Sequence, residues 1–414
     1  MIVTKFAVAR ALLVSVSVGI AGCSHAPESP PDRSALLYIE ARDACADGGR
    51  SRAPDVAATI RACGSVIETA GAAPSDIVDA LRVRAKVSLA ASRYDGAIGD
   101  YTQLMRLGVR DAAMYKFRAD AYRRKSKCDL AVADYDQAIR LNAKFADALE
   151  SRGDAFVCLK DYAKAVSDYD RAAELGPMRG ELAMKRGNVL VLAGNADRAI
   201  EAYGDAVRLR PRDAGALIAR GEVYVSQSRF EPALADFDAA LAINPNHAGV
   251  IRQRALIRVQ QRDYGAAILD FSRAIQLDPK SASLYDDRGT AYVREGDYDR
   301  AIDDYGKAIG LDPNFAAAFD HRGNVLSQKG HFEQAIQDYD QAIQLSPKLT
   351  SAIVSRGNAH LSRGAYDLAI RDYDRATELG ASNAAVERSR RQASAEKAKR
   401  DAARGIAIDG NLTH

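Results

Sequence analysis

Small and apolar positions recur along Val78–Asn383 with a period of 34 residues, nine times over and without an insertion or deletion. The eighth place of each period is alanine or glycine preceded by arginine: Arg84-Ala85, Arg118-Ala119, Arg152-Gly153, Arg186-Gly187, Arg220-Gly221, Arg254-Ala255, Arg288-Gly289, Arg322-Gly323 and Arg356-Gly357. The twentieth place is always alanine, from Ala97 to Ala369, and the twenty-fourth is a ring: Tyr101, Tyr135, Tyr169, Tyr203, Phe237, Phe271, Tyr305, Tyr339 or Tyr373. Small residues on apolar faces at helical spacing predict two helices able to approach closely. A proline follows the second helix at Pro177, Pro211, Pro245, Pro279, Pro313 and Pro347, where its ring and missing N–H stop a helix. The unit is a helix hairpin, and a fixed period of this size marks an array whose units stack because none buries its apolar face alone.

The flanks follow the same logic more loosely. An amphipathic helix is expected from Ala35 to about Ala46, and Pro54 introduces a second from Asp55 to about Thr69, with Val56, Ile60, Cys63 and Ile67 on one face. Residues 35–77 thus form a degenerate hairpin that caps the array. Residues 384–404 have helix-forming composition without the repeat signature and are expected to cap the other end, followed by a disordered tail over 405–414. From Glu387 to Arg404 the balance is +4, read first as a solvated face and alternatively as a contact for an anionic polymer or lipid headgroups. The chain opens on Lys5 and Arg10, then the apolar run ALLVSVSVGIAG. Residues 1–22 therefore read as a secretory signal, too short for a comfortable span. Residues 23–34 carry Pro27, Pro30 and Pro31 among polar residues and read as an extended tether.

The array resembles the tetratricopeptide repeat, whose 34-residue unit has small residues at places eight and twenty, an aromatic at twenty-four, alanine at twenty-seven and proline at thirty-two. It departs at place four, where the family's tryptophan is replaced by Leu81, Tyr115, Leu149, Ala183, Leu217, Ile251, Tyr285, Phe319 and Ile353. The resemblance implies an all-α solenoid of nine hairpins in a right-handed superhelix, with capping helices at both ends. It also implies a concave partner-binding groove formed by the first helices. Carried onto this sequence, that groove has a basic end at Arg82, Lys86, Lys116 and Arg123. Its centre is apolar around Met184 and Ile218, and its far end is acidic and amide-bearing at Asp286, Asp320, Asn324 and Asn358. The pattern of a chaperone-tail carboxylate clamp is absent. Ile20-Ala21-Gly22-Cys23 resembles a bacterial lipobox, which implies that Cys23 is acylated; Ser24 after it favours an outer-membrane, periplasm-facing anchor.

Four further cysteines remain, and in an exported chain an even number suggests disulfides. Cys45 with Cys63 would staple the capping hairpin, and Cys128 with Cys158 would join the turns of adjacent repeats. Buried cysteines behaving as small apolar residues are the alternative. Eight periods carry aspartate at place twenty-three, absent only at Ala202. Charges this close to a core must be paired. Arg118 with Asp134, Arg152 with Asp168, Arg288 with Asp304 and Arg322 with Asp338 are therefore read as members of a structural ion-pair ladder, with Glu201 as the substitute partner in the fourth period. The ladder neutralises the arginines, and the net charge is +3, or +1 without Lys5 and Arg10, so nucleic acid is not an expected partner. No nucleophile motif, phosphate loop or metal pair is present, so neither catalysis nor a cofactor is expected. The expected function is that of a membrane-anchored periplasmic scaffold binding a cell-envelope protein or peptide, with an envelope polysaccharide as the alternative ligand. No oligomeric state is implied.

Overall fold

A computed structural model of the chain describes residues 33–51, 54–381 and 384–410, all helix, turn and loop, with no strand among them. The expected signal, Cys23 and the tether as far as Asp32 lie outside these residues. The chain divides between Ala143 and Lys144 into two compact units, where an undivided array was expected. The first holds α1 (Arg33–Arg50), α2 (Val56–Glu68), α3 (Pro74–Ala90), α4 (Tyr94–Arg106), α5 (Ala112–Arg124) and α6 (Cys128–Leu141). The second begins with α7 (Ala146–Cys158), α8 (Tyr162–Leu175), α9 (Gly180–Leu192), α10 (Ala196–Leu209), α11 (Ala214–Ser226), α12 (Phe230–Ile243), α13 (Ala248–Gln260) and α14 (Tyr264–Leu277). It continues with α15 (Ala282–Glu295), α16 (Tyr298–Leu311), α17 (Ala316–Gln328), α18 (Phe332–Leu345), α19 (Thr350–Ser362), α20 (Tyr366–Glu378) and α21 (Ala384–Gly410). Each unit is a stack of paired helices in solenoid fashion, every helix packing chiefly on its chain neighbours.

Local chemistry explains each hairpin. The turn inside it places its fifteenth residue in the left-handed region. Glycine supplies this at Gly194, Gly296, Gly330 and Gly364, whereas Ser92, Ser126, Lys160, Ser228 and Arg262 adopt it with φ between 57° and 62°. The next N–H then bonds back to the carbonyl five residues earlier, as from Asp297 to Tyr292 at 2.9 Å, which caps the first helix. Across the hairpin the aromatic ring at place twenty-four lies flat on place eight. A Cβ built on Gly187 would stand 2.4 Å from Cε1 of Tyr203, so this approach sets the spacing of the pair. Phe237, Phe271, Tyr339 and Tyr373 are among the largest fully buried side chains.

The arginine before that small residue reaches in two directions. Sixteen residues ahead it grips the aspartate of its own second helix with Nε and Nη2, as Arg288 does Asp304 at 2.7 and 2.9 Å. The same fork joins Arg84 to Asp100, Arg118 to Asp134, Arg152 to Asp168, Arg220 to Asp236, Arg254 to Asp270, Arg322 to Asp338 and Arg356 to Asp372. The aspartates are buried, and a bidentate charge-assisted pair is what keeps such a carboxylate from being an uncompensated charge. Sixteen residues behind, Nη1 reaches the preceding second helix: Arg118 to Thr102, Arg254 to Asp238, Arg288 to Ser272 and Arg356 to Asp340. In the fourth period, where Ala202 removes the forward acceptor, Arg186 turns back to Asp170 at 2.5 Å, with Asp205 at 3.7 Å. Glu201, the substitute expected, takes no part in this contact; it stands one place short of the vacated acceptor, and adjacent residues of a helix do not share a face.

At the N-terminal end α1 and α2 pack as a hairpin would, α1 on both α2 and α3, and a disulfide joins Cys45 to Cys63 with Cα atoms 4.9 Å apart. Cys128 and Cys158 are not free thiols either. At the other end α21 runs past the expected boundary at Arg404 to Gly410. It retains more of the repeat than its sequence suggests, for Arg390, 34 residues after Arg356, donates to Asp374 as Arg356 does to Asp340. Four more of its cations are paired, Lys397 and Arg400 with Asp367, Arg391 with Glu387 and Lys399 with Glu396, which supports the reading of a solvated face.

Two opposite changes test the arginine bridges. Arg288→Ala strands Asp304 and should lower stability by about 1–3 kcal/mol, while Arg300→Ala, in an exposed pair with Asp297, should leave the urea midpoint where it was; equal shifts would show that burial of the pair is irrelevant. Gly306 occupies the backward acceptor place of Arg322, and a Cβ there meets only Arg322 Nη1, at 3.7 Å. Gly306→Ser should therefore raise stability by about 1 kcal/mol through helix propensity and a new acceptor, and an unchanged or lower midpoint would count against the backward contact.

Candidate partner-binding face

First helices touch the first helices of neighbouring hairpins: α1 with α3 and α3 with α5 in the first unit, and α13 with α15, α15 with α17, α17 with α19 and α19 with α21 in the second. Second helices make no comparable approach among the described residues. The first helices are thus the more crowded, inner side of each unit, and in the second unit side chains at their second, fifth, sixth and ninth places reach one another.

In the first unit the expected basic end is largely spoken for. Lys116 pairs with Asp120 at 2.8 Å and lies over the Phe117 ring. Arg123 donates to the hydroxyl of Tyr135, which in turn donates to Asp120 at 2.6 Å. Arg82 is half-exposed, 3.9 Å from Asp111, and Lys86 is exposed.

In the second unit the polar residues of this face bridge successive first helices. Lys185 of α9 bonds Glu150 and Asp154 of α7, each at 3.0 Å, and Arg179 also reaches Glu150. Arg252 of α13 holds Asp287 of α15 at 2.6 Å, His321 of α17 holds Asp286 of α15 at 2.8 Å, and Ser351 of α19 donates to Asp320 of α17 at 2.8 Å. Asp286 and Asp320 are buried; the expectation that they face a ligand as open acidic groups is corrected, because both are occupied by the next repeat. Asn324 and Asn358 are exposed, but their Oδ1 atoms accept from Tyr339 and Tyr373 at 3.0 and 2.8 Å. The Asn324 amide nitrogen donates to Asp320 at 3.5 Å.

Between these two groups of bridges lies an apolar interval. Met184 and Ile218, at the fifth place of α9 and α11, are half-buried and pack on adjoining core residues. Val191 and Leu192, at the end of α9, are 44% and 54% exposed and form the open part. Sequence reasoning missed Arg252, Asp287, His321 and Ser351. Their signal is an offset of about one period between a fifth place and an oppositely charged or polar place in the next unit. Beyond the bridges, a polar cleft of about 400 Å³ is lined by Asn358, Leu361, Ser362, Tyr366, Gln392 and Glu396. No group of three His, Cys, Asp or Glu among the described residues is placed to hold a metal ion.

The His321 bridge is proton-linked. Burial opposes its charge, but the hydrogen bond and charge of Asp286, with Asp320 and Asp287 nearby, more than offset it and raise its pKa; the Tyr305 ring lies 5.6 Å away. Burial also raises the carboxyls of Asp287, against Arg252, and of Asp320, against the Ser351 bond. A group with a raised folded pKa contributes stability below its unfolded value and loses it as pH rises through the folded one. For His321 that loss begins above about 6.5. His360 has the opposite sign, its pKa lowered by burial, so the contribution must be read as a difference. Wild type should lose thermal stability from pH 6.5 to 8 more steeply than His321→Gln; parallel slopes would remove the proton linkage.

Tetratricopeptide-repeat models match residues 118–178 and 184–248, 221–280, and 289–330 and 323–362, together more than half of the chain. Among solved structures, the C-terminal part of a TPR repeat-containing protein from Cytophaga hutchinsonii is 22% identical, with a TM-score of 0.52 over 58% of this chain and 98% of that one. A tetratricopeptide repeat protein from Parabacteroides merdae is 20% identical, with a TM-score of 0.47 over 60% of this chain and 98% of that one. YrrB, described as a TPR protein with an unusual peptide-binding site, is 24% identical, with a TM-score of 0.40 over 43% and 92%. No curated protein matches the chain. Period, hairpin geometry and family models agree: the chain belongs to the tetratricopeptide-repeat family.

Proposed function

We propose that this chain is a non-catalytic adaptor, its residues 78–383 forming nine repeat units, which holds a protein segment of the cell envelope against the first-helix face of its second unit. The observation that carries this is the apolar interval of Met184, Val191, Leu192 and Ile218. The charged residues Glu150, Asp154, Lys185, Arg252, Asp286 and Asp287 on either side of it are bonded across neighbouring first helices, which leaves an aliphatic stretch as the open part of this face. Exposed aliphatic residues on stacked first helices suit an extended or helical peptide, which supplies matching side chains at regular spacing. We further propose that Cys23 is acylated and tethers the chain to the outer membrane, facing the periplasm. The Ile20-Ala21-Gly22-Cys23 tetrapeptide supports that anchor, and no helix among the described residues is long and apolar enough to cross a membrane.

The polar cleft beside Asn358 favours a second reading, envelope polysaccharide, since amides, hydroxyls and one ring suit sugar hydroxyls better than aliphatic side chains. One experiment separates the two. A photoreactive residue at Leu192 should capture a discrete protein in intact cells, whereas one at Leu269, 72% exposed on the second helix α14, should not. Equal capture at both sites would indicate only surface stickiness, and no capture at Leu192 would transfer weight to the glycan.

A further inference from the structure

We propose that the first two turns of α1 are a lipid-contacting surface, seating the N-terminal end of the first unit on the bilayer that holds Cys23; the proposal rests on that anchor. Leu36, Leu37 and Ile39 are 46%, 59% and 43% exposed, three large aliphatic side chains within four residues. The other large exposed aliphatics of this unit, Leu107, Leu130 and Leu141, stand singly. The side of α1 that packs inward is different. Tyr38, Ala41 and Cys45 meet Cys63, Val66 and Ala80, and the Tyr38 hydroxyl donates to Asp76 of α3. At 3.6 residues per turn, Leu36 and Ile39 point away from Tyr38 and Cys45, with Leu37 on the flank. The Cys45–Cys63 disulfide ties α1 to α2 in this orientation, so the leucines are held outward.

The sequence then limits what can cover them. Ser24–Asp32, nine residues, separate Cys23 from the start of α1, a reach of at most about 30 Å when fully extended. An acylated Cys23 confines the apolar turns to that distance from the headgroups, where the effective concentration of lipid exceeds that of any diffusing protein. The polar pattern fixes the mode of contact. After Ile39 come Glu40, Asp43 and Asp47 against Arg42 and Arg50, so the apolar face ends at the second turn. This is not the basic, flat-lying helix that reads anionic lipid; it fits a shallow contact by the helix end, independent of lipid charge.

The test uses the full acylated chain reconstituted in phosphatidylethanolamine–phosphatidylcholine vesicles, with a polarity-sensitive fluorophore on Leu37→Cys and, as control, on Arg106→Cys of α4. At position 37 the emission should shift to the blue, be quenched by brominated acyl chains and resist added salt; at position 106 none of this should occur. An unquenched, unshifted probe at 37 on vesicle-bound protein overturns the lipid contact while leaving the anchor intact. A blue-shifted probe that brominated lipid fails to quench means that a second copy or another segment covers the patch, which also overturns it. The anchor is read separately by the mass of the Cys23 peptide, and if no acyl chain is present the proposal falls with that reading.

Discussion

The structure depends on one side chain repeated at a fixed place, an arginine that grips the aspartate sixteen residues ahead and, where the preceding second helix offers an acceptor, reaches sixteen residues behind. The forward contact closes a hairpin and the backward one ties it to its predecessor. A buried aspartate contributes little net stability when paired, yet leaving it unpaired is costly. Its main effect is therefore on register: inserting a residue between an arginine and either acceptor would break the pair on that side. That accounts physically for a period that runs from Val78 to Asn383 without a single length change. Either contact can be absent alone: Gly204 and Gly306 leave Arg220 and Arg322 no side-chain acceptor behind, and Ala202 leaves Arg186 none at the place ahead. With Ala202 in place of the aspartate, Arg186 keeps its hold on Asp170 of the preceding second helix, while the hairpin is closed by apolar packing, the Tyr203–Asn188 hydrogen bond and the longer contact of Arg186 with Asp205.

Because those arginines are consumed between helices, they contribute little to the face on which a partner would sit. That face is decided by the fifth, sixth and ninth places of the first helices. At several of the polar places a neighbouring repeat has claimed the side chain: Glu150 through Lys185, Asp287 through Arg252, Asp286 through His321 and Asp320 through Ser351. Between α9 and α11, whose fifth places are Met184 and Ile218, no such bond joins the first helices among the described residues. Removing polar competition in this way leaves the aliphatic interval as the part of the face with most to gain from being covered.

The hairpins and the close approach of their helices were legible in the sequence because period and side-chain size report directly on it. The chemistry of the inner face was less so. Asp286 and Asp320 read as exposed acids because a single repeat shows only the helix to which they belong; their partners lie on the next first helix, a juxtaposition that the 34-residue alignment hides by stacking like on like. His321 gave no signal of its own, since the sixth place elsewhere carries valine, phenylalanine, serine, lysine, alanine, glutamine or aspartate. The division after Ala143 was likewise unreadable, because the period continues through it unchanged.

The end of the array carries the argument one step further. In α21 the register arginine survives as Arg390, but the residue after it, alanine or glycine in every preceding unit, is Arg391. At six of those places a Cβ alone would come within 2.4–2.9 Å of the aromatic ring of the following second helix. A whole arginine side chain there, 72% exposed and turned to Glu387, prevents another ring from lying flat on the helix. The helix therefore keeps the contact that joins it to its predecessor, while at the place where each preceding first helix offers a small residue to a ring it presents the exposed Arg391.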